Sequence, residues 1–275
     1  MPTADEIAKI RAAVPAKPTV QPAQPRKVLV VGQNQAHLPV PFAAKAVELM
    51  DEKTGAFDAA FSNDPVMFEA ENLKQFDAVI LNNLHTVSPY LPANFRQLPK
   101  EEQAKAKERA AILHKNLEEF VRSGKGLVGI HGSTVGLPEI GDLLGGNFAD
   151  WPWKGKEPFP VKLDDPKHPI NEAFGGKGFE VLDEGYQFKA PYSRDDLHVL
   201  MSIDLSKTKE LGSRPDHDYA MGWVRSYGEG RIFYSALGHF PELYWNPALL
   251  RHWLDGIQFA IGDLKGDTTP SAKLK

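Results

Sequence analysis

The 275-residue sequence predicts an α/β fold built on a mostly parallel sheet. Three observations predict it. Short, continuous apolar runs recur, the pattern of strands covered on both faces. Amphipathic stretches lie between them and end at glycine, as helices do. Strand and helix alternate four times between Lys27 and Gly132, the signature of parallel strands joined by right-handed crossovers.

Each element follows in order. Ala4 to Val14 can form a short helix, and the Pro- and Ala-rich PAKPTVQPAQP after it reads as extended. Residues 1–26 are therefore an arm, lying on the body or moving freely, with a disordered leader as the plain alternative. Order starts with KVLVVG, the first strand. FAAKAVELMDEKTG is helical and capped at Gly55. FDAAFSND is the second strand, DPVMFEAENLKQF a short helix, and FDAVILNN the third strand. A long helix from about Lys100 to Arg122 closes at Ser123-Gly124, and GLVGIHG is the fourth strand. The second half is richer in strands: FPVKLDD, GFEVLDEGYQF and LHVLMSID. AMGWVRSYGEGRIFYSALGH then reads as a hairpin turning at Gly228-Glu-Gly230. A last helix spans Asn246 to Ile261. One α/β domain, residues 27–263, is expected, with β-rich additions in its second half and a tail at 264–275.

The totals exclude several functions. Hydrophobic residues make up 42% and charged residues 25%, an ordinary globular balance. The net charge of −4 comes without a basic stripe, so no nucleic-acid partner is expected. No apolar run approaches the ~20 residues that span a bilayer. With no cysteine, disulfides and thiolate chemistry are absent. MPTADEIAKI lacks the basic head and apolar core of an export signal. The compartment is cytoplasmic or, after removal of a signal, periplasmic.

Open α/β sheets bind ligands beyond the carboxyl ends of their strands. Four of the nine histidines fall there: His37, His85, His131 and His239, with Asn83 beside His85. Any one of them could simply satisfy a nearby carbonyl, so the case rests on their joint placement. GLVGIHGST has the layout of a nucleophile elbow with His131 at its apex, flanked by Gly129 and Gly132. An imidazole there serves as general base or metal ligand. Ser133 sits two residues past the apex, the wrong place for a nucleophile. In Asp183-Glu-Gly-Tyr-Gln187 the two carboxylates point to opposite faces, so Glu184 and Tyr186 share one side. Asp183 then pairs with a cation such as Arg225 or Arg231, and a solvated carboxylate pair is the plain reading. Trp151 and Trp153 lie in the loop GGNFADWPWKGKEP, either stacking on a sugar or plugging the joint between the halves. His217, in Asp216-His-Asp-Tyr219, is a weak polar or metal candidate. No GxGxxG, GxxxxGK[ST] or HExxH occurs, so no phosphate cradle or helical zinc motif is present.

FDAVILNN, GKGLVGIHG, LLGGNFADWPW, KHPI, DEGYQF and GWVRSYGEGRIFYSALGH, in that order, resemble the ThuA-like, or trehalose-utilisation, family from Lys27 to Asp263. The resemblance implies a flavodoxin-like, three-layer sandwich similar to class I glutamine amidotransferases. Those enzymes carry a catalytic cysteine at the elbow; His131 stands there in this chain, which rules out thiol-based glutamine hydrolysis. The resemblance also implies carbohydrate metabolism, through 3-keto-glycoside intermediates. Its motifs carry over His131, His168, His239, Glu184 and Tyr186, with His168 structural in its HPI turn. Trp151 replaces a histidine of many relatives, and the first-strand loop departs from the family pattern, with His37 able to fill its role.

The expected catalytic residues are thus His131, Glu184 and His239. The expected substrate contacts are His37, Asn83, His85, Trp151, Trp153, Tyr186 and His217. The sequence specifies no cofactor; a divalent zinc or manganese ion on His131 and His239 is one reading. A lyase, isomerase or hydrolase acting on a keto-sugar or glycoside is expected, with a sugar as small-molecule partner and self-association left open. The competing reading is a non-catalytic carbohydrate-binding protein.

Overall fold

A computed structural model describes residues 1–274. Eleven strands follow one another along the chain: β1 (Lys27–Val31), β2 (Asp58–Phe61), β3 (Ala78–Asn82), β4 (Gly126–Ile130), β5 (Asn147–Lys154), β6 (Phe159–Leu163), β7 (Phe179–Val181), β8 (Glu184–Lys189), β9 (His198–Ile203), β10 (Ala220–Tyr227) and β11 (Gly230–Ser235). The α-helices are α1 (Ala4–Ala13), α2 (Pro39–Thr54), α3 (Ala70–Leu73), α4 (Lys100–Arg122), α5 (Pro138–Leu144) and α6 (Pro247–Ala260). Nine strands form one sheet in the order β2-β1-β3-β4-β11-β10-β9-β6-β7. The first five are parallel and the last four antiparallel additions.

Burial explains this split. β3 and β4 are buried at every position, so they need helices on both faces. The chain runs leftward from β1 to β2 and rightward from β3 to β4. Right-handed crossovers therefore place α2 and α4 on opposite faces. α2 and α6 meet Val128 and Ile130 on one face, while Leu144 of α5 lies against Gly129 on the other. Gly55 closes α2 and Gly145 closes α5, both left-handed. Asn246 caps α6 by accepting hydrogen bonds from the amides of Ala248 and Leu249. No helix among the described residues is long and apolar enough to cross a membrane.

Two elements differ from the sequence expectation. The stretch read as a loop around Trp151 is strand β5, paired antiparallel with β8 in a separate two-stranded ribbon. The run GFEVLDEGYQF is split: β7 joins the edge of the large sheet and β8 joins the ribbon, with Asp183 between them. The N-terminal arm lies on the body. Ile10 is fully buried, and Gln258 of α6 accepts from the Thr19 amide and donates to the Val20 carbonyl. α1 packs on α2 and on the turn at 241–245.

Candidate functional site

β1 leads away to β2 on one side, and β3 leads to β4 on the other, so a crevice opens between the carboxyl ends of β1 and β3. His37, after β1, and His85, after β3, meet there with ring centroids 4.4 Å apart. His239, after β11, lies 5.6 Å from His37 and 5.3 Å from His131, which directly follows β4. Four histidines spread over some two hundred residues thus form one continuous array. His131 is fully buried at its floor; His37 and His85 are half-buried, and Glu184 and His239 keep about a fifth of their side chains exposed.

The backbone is bent to achieve this. His131 itself adopts φ +43°, and Asn83, His85 and Thr86 are also left-handed. The tight turn is therefore carried by the histidine and not by Gly129 or Gly132. Such conformations cost roughly 1–3 kcal/mol each and persist where surroundings enforce them. Those surroundings are visible: the Ser133 hydroxyl donates to Leu81 O, the Tyr234 hydroxyl donates to His131 O, and the His85 amide donates to Gly132 O. Ser133 is thereby occupied structurally.

His131 has a defined tautomer. Its Nδ1 lies 2.6 Å from Ala236 O, and a carbonyl only accepts, so Nδ1 carries the proton. Nε2 is left with its lone pair, which accepts from the Tyr186 hydroxyl at 2.8 Å. Burial pushes the Tyr186 hydroxyl well above its ordinary pKa, so it remains a donor. Glu184 Oε2 lies 3.5 Å from His131 Nε2 and 3.5 Å from His239 Nδ1. Burial alone would raise the Glu184 carboxyl. The neighbouring imidazoles, His131 first and then His239 and His37, outweigh burial and hold it below its ordinary value. His37 is pushed down to about 4, first by burial and then by His85, His131 and His239. His239 is lowered by burial and by His131. The site thus sets an ionised carboxylate beside two imidazoles, His37 and His239, that are held neutral at neutral pH.

Asp183 does not pair with Arg225 or Arg231. It is fully buried and accepts from the amides of Gly238 (2.7 Å) and His239 (3.0 Å), anchoring the loop that carries His239. Asn83 is also buried. Its Oδ1 accepts from the Gly132 amide and its Nδ2 donates to Asn82, so it clamps two loops and presents no free group to a substrate. Trp153, only 6% exposed, packs edge-on against Tyr219 and plugs the core. Trp151 is 40% exposed and stacks on Phe148, which meets Tyr186 edge-on. His217 is exposed on a separate open cleft, where Arg214 pairs with Asp216 and Arg194 with Asp218. Neither its carboxylate neighbours nor its place joins it to the histidine array. His168 caps the turn after it and contacts Asp267 O, a structural role. Sequence reasoning missed Phe148, Tyr234 and the Ala236 carbonyl. The last leaves no signal, because any residue supplies a carbonyl.

The donors fit a divalent cation. His131, Glu184 and His239 offer one atom each, all within 4.8 Å of one another. Bonds of about 2.1 Å at a tetrahedral angle separate ligand atoms by roughly 3.4 Å, close to both 3.5 Å spacings onto Glu184. His239 Nδ1 is buried without a hydrogen-bond partner, and the Nδ1–H of His131 is held by a carbonyl, as for a metal-binding imidazole.

Comparison with known proteins gives a consistent picture. A ThuA-like protein from Bacteroides uniformis superimposes with a TM-score of 0.65 at 21% identity, covering 93% of this chain and 99% of that one. A cytoplasmic protein from Salmonella typhimurium gives 0.54 at 16% identity, covering 85% and 98%. A glutamine amidotransferase from Thermotoga maritima gives 0.50 at 12% identity, covering 87% and 99%. These likenesses establish the ThuA-like, amidotransferase-like fold. No curated protein matches the chain. The family described as trehalose utilisation matches residues 27–260, and the chain belongs to that carbohydrate-linked family.

Proposed function

We propose that this protein is an enzyme acting on a keto-glycoside by acid-base elimination. The observation that carries the reading is the Glu184 carboxylate set 3.5 Å from two imidazole nitrogens at the carboxyl edge of the sheet. A ketone at C3 of a sugar acidifies the C2–H bond. Glu184, held ionised, is the base that takes this proton. The electron pair moves onto the ketone oxygen as an enolate, and the N–H of neutral His239 faces that oxygen as donor. The enolate then collapses: C1 and C2 become doubly bonded, the C1–O glycosidic bond breaks, and the departing oxygen takes the proton back from Glu184. Net, the glycoside becomes an unsaturated sugar and an alcohol. His131, locked in its tautomer, and Tyr186 form the floor beside Glu184. A divalent cation on His131, Glu184 and His239 would supply further positive charge opposite the enolate oxygen.

The test is incubation with 3-keto-trehalose and 3-keto-glucosides. Release of the alcohol is expected, falling by about 10²–10⁴-fold in Glu184→Gln, the usual worth of a general base. Unchanged turnover by Glu184→Gln or by His131→Ala would overturn the assignment. Elemental analysis of the purified protein for zinc or manganese, repeated on His239→Ala, reads the cation separately.

A further inference from the structure

The ribbon β5–β8 carries an aromatic path from solvent to the histidine array, and that path has a use beyond the chemistry at Glu184. Along β8, Glu184, Tyr186 and Phe188 alternate and share one face. Directly paired residues on an antiparallel ladder also share a face. Phe148 pairs with Phe188 and Lys154 with Glu184, so both lie on the site's side of the ribbon. In a regular strand, Trp151, three residues beyond Phe148, would point the other way. The ladder is irregular between Phe148 and Asp150 and again between Asp150 and Trp153. That irregularity brings the Trp151 indole back over Phe148, with centroids 5.7 Å apart and planes 27° from parallel. Phe148 meets Tyr186 at 4.8 Å, and Tyr186 meets His131 at 4.6 Å. The series His131, Tyr186, Phe148, Trp151 therefore runs from a fully buried ring to one that is 40% exposed. Above the indole stands the Lys154 ammonium, 5.4 Å from the ring centroid; it makes no ion pair among the described residues.

We propose that Trp151 is the seat for the second ring of the substrate, so that the site takes two-ring glycosides, either disaccharides or aryl glycosides, in preference to simple alkyl ones. This rests on the keto-glycoside reading above. An exposed indole backed by a second aromatic ring is rigid and offers a flat apolar surface. The C–H face of a pyranose, or a phenyl ring, gains apolar contact there at little entropic cost. Lys154, on a flexible stem, moves aside and donates hydrogen bonds to the hydroxyls of a ring seated on the indole. The first ring then lies at Glu184 and His239, with the glycosidic oxygen between the two.

The test measures equilibrium binding of methyl β-D-glucopyranoside, phenyl β-D-glucopyranoside and trehalose by calorimetry, on the wild-type protein, Trp151→Ala and Trp151→Phe. The two-ring compounds are expected to bind the wild type about tenfold or more tighter than the methyl glycoside, a difference of ~1.4 kcal/mol. That ratio should collapse toward unity in Trp151→Ala and recover in Trp151→Phe. Trehalose and the phenyl glycoside together separate a sugar ring from an aromatic one as the preferred occupant. If the methyl glycoside binds and a second ring adds nothing, or if the preference survives in Trp151→Ala, the seat is refuted and the keto-glycoside reading stands. If none of the three binds, the seat is refuted, and turnover of the 3-keto-glycosides decides the keto-glycoside reading by itself. Exposure of Trp151 keeps folding out of the comparison, and far-UV circular dichroism checks it.

Discussion

Gly238 shows how closely the site is built at single residues. Its φ is +140°, and a Cβ added there would lie 3.2 Å from the Tyr244 hydroxyl and 3.3 Å from His131 Cβ. Glycine tolerates that backbone and others do not. Gly238→Ala is therefore expected to cost about 1–3 kcal/mol in thermal unfolding and to displace both His131 and His239. Turnover should drop more than the stability loss alone explains, which a kcat measurement at a temperature well below unfolding will read. At this scale the sequence was partly legible. Histidines after apolar runs could be collected because β-branched runs mark strand ends. Asn83 was misread as a substrate contact, because a buried clamp and a surface donor look alike until the backbone path is known. Trp153 and Trp151 sit two residues apart, and the irregular ladder sends one inward and one outward.

Elements of the parallel half were legible for a physical reason. Strands such as β3 are buried on both faces and read as unbroken apolar runs, and helices such as α2 end in a left-handed glycine. β5 was not legible. Its burial follows no two-residue alternation, its ladder shifts register twice, and it holds a proline, so it reads as a loop. The N-terminal helix α1 has a separate consequence. It lies outside the family match at 27–260, yet it packs on the turn at 241–245 that directly follows His239. Lys9 sits over Trp245 at 5.0 Å, and Arg11 pairs with Glu52 of α2. Ile10, fully buried, is its anchor. Ile10→Ala should cost about 2–5 kcal/mol of the interactions holding this helix down. Amide exchange at Leu243 to Trp245 is expected to speed up; unchanged protection there would show that the turn stands without the helix.

For the molecule as a whole, buried histidines away from the site contribute to acid stability. His252 is fully buried, its Nδ1 donates to Ile170 O, and burial pushes it down to about 4; His168 is likewise pushed down to about 4, by burial and by His198. Both values lie below that of the unfolded chain, near 6.5. Above pH 6.5 neither state carries the proton and the full stability is present. As pH falls from 6.5 toward 4 the unfolded chain takes up protons that the folded one refuses, and stability is lost, by roughly 3 kcal/mol for His252. Asp183 and Asp255, raised to about 6 by burial, act in the opposite sense, so the total slope is a difference. Urea denaturation of wild type and His252→Gln across pH 4–7 isolates the histidine: the variant should show a shallower fall by about one proton's worth. Equal slopes would remove His252 from the account.

Glu184 and Tyr186 ride on the two-stranded ribbon, whereas His131 and His239 ride on the large sheet, and Asp183 bolts one to the other. Carboxylate and imidazoles are thus mounted on separate plates that meet along a seam. Changes on the ribbon's outward side, where Trp151 stands, would alter what the aromatic wall recognises while Trp153 and Tyr186 keep the seam closed and the imidazole plate in place.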